Sequence, residues 1–338
     1  MDQNSRIWRR RARTFSMILA MWVGSIVLAP LLLMAAAAVD AVRSLSGNTT
    51  FTTTRLLVVA WAYLTAEIVG LAAAGMHFML SGFGASNNLL RWSYQLQGRW
   101  ANFMLMVVTK AFSMTVEVSG LDQAKPGPYI LMMRHASMID VLIPAALIAH
   151  RGGIRLRWIL KRELLSDPAL DIVGSRLPNH FVDRSGSNRE DELAAIRDLS
   201  RDLGPDDAVM IYPEGTRFTE QKRDSSIRRM SKIHPELAGR FSSLKHVLAP
   251  QPGGSLALLE SGYDIVFGTH TGLGGMASLR EMWSGSLVGT AIRVSFWRVS
   301  ARDIPDGESD RLRWLVERWV DLDRKTAELQ SSETLRAG

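Results

Sequence analysis

The feature that most restricts this chain is a pair of long apolar runs near its start. Phe15 to Val39 is 25 residues without a charge, and Leu56 to Leu80 is another 25 interrupted only by Glu67 and His77. At ~1.5 Å of rise per residue, about 20 apolar residues reach across the hydrocarbon of a bilayer. Both runs are long enough. The first is too long for the apolar part of a secretory signal, and no small-residue cleavage site closes it. A retained membrane hairpin is therefore expected over residues 1–82, with helices at about 15–39 and 56–80. "RIWRRRAR" places five arginines before the first run, whereas the connection from Asp40 to Arg55 carries only Arg43 and Arg55. Basic flanks stay on the cytoplasmic side. A spanning hairpin would thus begin and end in the cytoplasm, anchored in the inner membrane, with the rest of the chain facing the cytoplasm. Pro30 and Glu67 fit a second arrangement, a hairpin half-embedded in one leaflet. Glu67 itself is either turned toward the partner helix or a functional intramembrane group.

Hydrophobic residues make up 47% of the 338, and the excess over a soluble chain lies in that N-terminal segment. The net charge of +7 stands beside the same segment. Anionic headgroups attract juxtamembrane Lys and Arg at ~1 kcal/mol each, so the charge is read as serving a phospholipid membrane rather than nucleic acid. The absence of cysteine excludes disulfides, thiolate metal sites and a cysteine nucleophile. Residues 83–112 form a juxtamembrane connector, in which Trp92, Tyr94 and Trp100 suit the membrane interface. Its apolar end, Trp100 to Phe112, either lies along the membrane or covers the following domain.

From residue 113 to 329 short apolar runs alternate with helical patterns. "MTVEVSG", "YILMMR", "IRLRWIL", "NHFVDR", "AVMIYPEG", "HVLAP", "YDIVFGTH" and "TAIRVSFWRV" read as strands. "SMIDVLIPAALIAH", "ELLSDPALDIVGSR" and "NREDELAAIRDLSRDL" read as helices, the last opened by Ser187 and closed by Gly204. A final helix carries Leu312, Leu315, Val316, Trp319 and Leu322 on one face. This is a layered α/β domain with a mostly buried mixed sheet. Residues 330–338 read as a disordered tail.

Two stretches of this domain carry chemistry. "RHASMID" places His135 at the end of a buried strand and Asp140 five residues on. A carboxylate there can accept from one imidazole nitrogen and fix the tautomer, leaving the other nitrogen to take a proton from a hydroxyl. A core histidine bonded to a capping aspartate gives the same spacing. "YPEGTRF" ends another buried strand, with Gly215 for a tight turn and Thr216 and Arg217 offering a hydroxyl and a guanidinium to a phosphate. An ordinary strand-to-loop turn reads the same way. Among the other histidines, His150, His180, His234, His246 and His270 show no metal-ligand spacing, so no metal is expected. "GGSLA" at Gly253 lacks the final glycine of a hydrolase nucleophile elbow.

Taken together, His-x4-Asp followed by Glu-Gly-Thr-Arg resembles the glycerolipid acyltransferase family, which includes the 1-acylglycerol-3-phosphate and other lysophospholipid acyltransferases. "NHFVDR" and "KHVLAPQPGG" resemble two further family blocks, and "LKREL" another common stretch, so the resemblance runs from about Met114 to Arg298. It implies that His135 is the general base and that Asp140 orients it. Phe181, Arg184, Glu214, Gly215, Thr216 and Arg217 would bind the acceptor's glycerol phosphate, and Pro250 would shape the acyl-donor side. It implies no cofactor, with acyl-CoA or acyl carrier protein (acyl-ACP) as co-substrate and a lysophospholipid, 1-acylglycerol-3-phosphate first, as acceptor. "FTEQKRDSS" and "LKHVLAP" look more like the lysocardiolipin and lysophosphatidylinositol branch. A non-catalytic lipid-binding scaffold is the alternative from another class. The family often has Asn where this chain has Arg134. Close to the ring, that cation would disfavour the imidazolium; turned away, it could meet a phosphate. The basic residues from Lys222 to Lys232 either meet acidic headgroups or form a solvated loop.

Overall fold

The computed structural model describes residues 3–183, 189–274 and 279–337. In chain order the helices α1 (Gln3–Val27), α2 (Ala29–Leu45), α3 (Thr52–Leu80) and α4 (Asn88–Ala111) lead into strand β1 (Thr115–Ser119). Then come β2 (Tyr129–Met133), α5 (Leu142–Pro144, continued as a π-helical turn Ala145–His150), β3 (Arg155–Lys161) and β4 (His180–Val182). Next are α6 (Arg189–Leu199), β5 (Asp207–Ile211), α7 (Glu220–Ile233), α8 (Ala238–Ser242) and α9 (Pro252–Leu259). The chain closes with β6 (Asp264–Thr271), α10 (Leu279–Ser284), β7 (Ala291–Val299) and α11 (Glu308–Ala337).

The described strands form one mixed sheet of seven, in the order β1-β7-β6-β2-β5-β3-β4. β2 lies parallel to both of its neighbours, β5 and β6, and β7 runs antiparallel to β6. β2 and β5 are buried along their whole length. Because side chains alternate across a strand, Ile130 and Met132 enter one core while Leu131 and Met133 enter the other. The first core lies under α6, α8, α9 and α11, where Leu315, Val316, Trp319 and Leu322 are fully buried. The second lies under α4 and α5, with Met104, Leu105, Val108, Ile143 and Leu147. Each such side chain removed from water contributes ~1.5–3 kcal/mol. The apolar end of the connector thus covers the α/β domain. Trp100 packs edge-on to Tyr63 of α3, with ring centroids 6.2 Å apart.

The N-terminal segment differs from the expected hairpin. The first apolar run is broken at Leu28: α1 and α2 meet at 73°, with proline at the start of α2. Pro30 has no N–H, and its ring would clash with the carbonyl of Ile26 in a continuous helix. Both the start of α1 and the α2–α3 connection touch the α/β domain. Arg10 and Arg11 pair with the buried Asp171 at 2.8 and 3.2 Å. Arg43 donates to the Trp283 carbonyl at 2.7 Å and lies over its ring, and Trp283 Nε1 donates to Thr53 at 2.9 Å. Farther along α3, Tyr63 donates to Asp167 and Ala74 accepts from Arg176. α3 is long and apolar enough to cross a membrane, and the bent α1–α2 pair is so only if it is counted as one span. Large apolar side chains at Ile26, Val27, Leu31, Met34, Met79 and Leu80 are exposed.

Two further expectations change. "HVLAP" is a buried loop rather than a strand, because side chains take its N–H groups. Asp323 of α11 accepts from Lys245, His246 and Val247, Glu214 from Leu248, and Ser226 from Ala249. The segment read as a tail continues α11 to Ala337; "AELQSSETLRA" holds good helix formers and neither Gly nor Pro. α6 ends at Leu199, ahead of Gly204, and Ser187 lies outside the described residues.

Candidate active site

β2, β5 and β6 are parallel, so their C-terminal ends share one edge of the sheet, where α/β folds place ligands. β2 leads into Arg134-His135, and the chain then turns through Ala136 to Val141 before α5. Two reciprocal pairs of hydrogen bonds shape the turn. Ser137 Oγ accepts from the N–H groups of Ile139 and Asp140 at 3.1 and 3.0 Å. Asp140 Oδ2 accepts from those of Ala136 and Ser137 at 2.6 and 2.9 Å. Asp140 therefore sits in the turn and not one turn into a helix. Its Oδ1 lies 2.9 Å from His135 Nδ1.

The result is a wholly buried carboxylate against a ring whose side chain is 17% exposed. Burial works against the Asp140 charge. The hydrogen bond from His135 and the nearby charges of His135 and His270 overcome it and hold the carboxyl well below the usual carboxylate range. An ionised Asp140 can only accept, so Nδ1 carries the proton. The Nε2 atom of His135 forms no hydrogen bond among the described residues and is left as the acceptor.

β5 supplies the second motif. Gly215 has φ of +67°, a left-handed conformation that favours glycine, and its N–H donates to the Tyr212 carbonyl at 2.9 Å. This turn sends Glu214 inward and brings the strand end against His135. Glu214 Oε1 accepts from the His135 N–H at 3.1 Å, Oε2 from Leu248 at 3.4 Å, and Phe218 N–H donates to the His135 carbonyl at 2.8 Å. The two motifs are thus stitched together through the backbone of the histidine. Burial pushes the Glu214 carboxyl up to about 8, with Arg134 and the two N–H donors pulling the other way.

The remaining expected residues fall at several places. Gly215 and Thr216 line, with Glu214, Lys222, Arg229 and Gln251, a cavity of about 550 Å³. Thr216 Oγ1 accepts from Lys222 at 3.2 Å. Arg217 is half-buried and forms no ion pair among the described residues. Pro250 is buried, and the next N–H, of Gln251, donates to the Pro213 carbonyl at 2.8 Å, tying this loop to the strand end. Phe181 is on β4, two strands beyond β5, with its ring over Gly174. β4 is pinned to α6 by His180 and Glu192 at 2.6 Å. Arg184 lies outside the described residues. Arg134 does not reach outward to a phosphate. It is 6% exposed and donates to the carbonyls of His246 and His270 at 3.0 and 2.6 Å.

Two residues at this site escaped the sequence reading. Tyr212 stacks on the His135 ring with centroids 4.5 Å apart. Its place just before Pro213-Glu214 was the only available signal. His270, on β6, approaches Asp140 at 3.4 Å, and no local pattern marks it.

Residues 115–253 match the Acyltransferase family model. The chain is similar to the mouse (Mus musculus) 1-acyl-sn-glycerol-3-phosphate acyltransferase epsilon, with 23% identity over 218 residues, 60% of this chain and 58% of that protein. It therefore spans somewhat over half the length of that curated relative. Its fold is similar to the crystal structure of the 1-acyl-sn-glycerophosphate (LPA) acyltransferase PlsC from Thermotoga maritima. The TM-score is 0.55 at 17% identity, over 82% of this chain and 96% of that one. The matched residues contain both motifs, and over them the chain is similar to the glycerolipid acyltransferase family.

Proposed function

We propose that this protein transfers a fatty acyl chain from an acyl thioester to the free hydroxyl of a lysophospholipid, with 1-acyl-sn-glycerol-3-phosphate as acceptor and phosphatidic acid as product. The observation that carries this reading is the His135 ring, whose Nδ1 is engaged by a buried ionised Asp140 while Nε2, at the strand edge, has no hydrogen-bond partner among the described residues. Nε2 takes the proton of the acceptor hydroxyl as its oxygen attacks the thioester carbonyl. Asp140 stabilises the imidazolium that forms. The tetrahedral adduct expels the thiolate, which takes the proton back from Nε2. The acyl group moves directly, so no side chain is acylated. General-base assistance of this kind contributes ~10²–10⁴ in rate.

An anionic acceptor agrees with Thr216 in the cavity lining and with Arg217 next to it in sequence; Phe181 on β4, and Arg184 outside the described residues, belong to the same assignment. Pro250 bounds the donor side, where either acyl-CoA or acyl-ACP fits. Glu214 serves this site by holding the His135 N–H. The exposed apolar side chains of α1 to α3 seat the protein on a phospholipid membrane, read as the inner membrane with the α/β domain on the cytoplasmic side. The test is a panel of lysophospholipids offered with labelled acyl-CoA or acyl-ACP to detergent-purified protein. Labelled phosphatidic acid from lysophosphatidic acid supports the assignment. Product from another lysolipid alone keeps the chemistry and moves the acceptor. No product with any pair sinks the reading.

A further inference from the structure

His270 is a buried titratable group that the chemistry above does not use. Along β6, Val266 enters the core under α4 and α5 while Phe267 enters the opposite one. His270, an even number of residues from Val266, therefore points to the side that holds Asp140. Its ring is fully buried. Nε2 lies 3.4 Å from Asp140 Oδ2, and neither ring nitrogen has a hydrogen-bond partner among the described residues. Its backbone is held on two sides, by pairing with Val294 on β7 and by Arg134 donating to its carbonyl at 2.6 Å.

A side chain needed only to fill this space would be apolar, as Val266 is. A buried imidazole without a partner is destabilising, and such groups are rare. The acceptor within reach is Asp140. Catalytic hydrogen bonds are often long before substrate arrives and shorten in the reacting complex.

We infer that His270 is a positioning residue for the acyl transfer proposed above, donating its Nε2 proton as a neutral imidazole to Asp140 Oδ2. The inference rests on that reading of His135 and Asp140. Oδ2 then receives Ala136, Ser137 and His270 beside a 3.1 Å approach from His135 Nδ1, while Oδ1 faces His135 alone at 2.9 Å. Burial and the nearby Arg134 charge favour the neutral ring, and Asp140 opposes them without prevailing. The other charged group close to the carboxylate is Glu214, itself buried. Holding the carboxylate from behind fixes the plane in which it meets His135 Nδ1, and so the direction of Nε2 toward the acceptor hydroxyl.

The experiment compares His270→Phe, His270→Gln and His270→Asn, each alone and in an Asp140→Asn background. Purified full-length protein is used, with kcat and KM measured separately and folding checked by melting. Glutamine carries an amide N–H to about the position of Nε2, whereas asparagine falls short. His270→Phe should lower kcat about tenfold or more, the range for a hydrogen bond to a charged group, with KM for both substrates within about twofold. His270→Gln should recover most of kcat and His270→Asn should not, a contrast that survives if the phenylalanine variant fails to fold. In the Asp140→Asn background, His270→Phe should add nothing. The ring N–H of His270 should also exchange slowly in ¹⁵N-histidine spectra and become fast in Asp140→Ala, which removes the acceptor, a readout independent of turnover. A kcat for His270→Phe within about threefold of the parent overturns the inference. So does an undiminished loss in the Asp140→Asn background, or a fast-exchanging ring proton. Transfer that survives His135→Ala instead removes the reading beneath it, whatever His270 does.

Discussion

Asp140→Asn isolates the tautomer of His135 from the rest of the site. Oδ2 of Asp140 accepts from two backbone N–H groups, at 2.6 and 2.9 Å. An asparagine must keep its carbonyl oxygen there, since its NH₂ would face two donors. The NH₂ then takes the place of Oδ1, 2.9 Å from His135 Nδ1, and donates to it. Nδ1 becomes an acceptor, the ring proton moves to Nε2, and the atom that should accept the substrate's proton already carries one. The whole general-base contribution is forfeited although a single atom has changed. That contribution is about 10²–10⁴ in kcat, or roughly 3–5 kcal/mol of transition-state stabilisation. Initial rates with labelled acyl-CoA and lysophosphatidic acid measure it. KM should hardly move, and the melting temperature should stay near the parent's because the turn keeps its bonds. A folded variant that retains kcat within about tenfold refutes the argument, for it means Nε2 does not need to be free.

Other parts of the site make separate claims. Folded Glu214 is pushed up from 4.5 to about 8 by burial, so between those pH values the folded state holds a proton the unfolded chain has released. Stability is then lost as pH rises through that window. Melting curves of the parent and Glu214→Gln should diverge in the variant's favour from pH 5 to 8, and parallel curves count against the shift. The Tyr212 hydroxyl is buried without a partner among the described residues, so Tyr212→Phe should be neutral or stabilising in a thermal melt. Tyr212→Leu, which loses ring stacking worth ~0.5–1.5 kcal/mol, should lower kcat about two- to tenfold. Asp323→Ala strips the acceptor from the N–H groups of Lys245, His246 and Val247. It should destabilise by about 3 kcal/mol in urea titration, and a loss under about 1 kcal/mol is the contrary result.

The strands of the α/β domain were legible because burial on both faces leaves short unbroken apolar runs, as in "YILMM" and "AVMI". α11 was legible because Leu312, Leu315, Val316, Trp319 and Leu322 recur at helical spacing. "HVLAP" was apolar enough to read as a strand, but its partners are carboxylates 34 and 77 residues away in sequence, at Glu214 from Leu248 and at Asp323 from His246. No local pattern reports such partners. The same holds for Glu214, read as facing substrate and found holding the backbone of His135, and for Arg134, whose charge is spent on two interior carbonyls. Hydropathy gave the length of the N-terminal runs. It gave neither the bend at Pro30 nor the attachment of Arg10, Arg11 and Arg43 to the domain, which depends on Asp171 and Trp283 far along the chain.

The most direct test of the central claim is the rate of acyl transfer by His135→Ala beside the unmutated protein. Lysophosphatidic acid and labelled acyl-CoA are held at saturation, and binding of both substrates is measured independently. The account requires kcat to fall by about 10²–10⁴ while binding persists. Transfer within about tenfold of the parent would mean that another group takes the proton, and that His135 and Asp140 are there only to hold the turn.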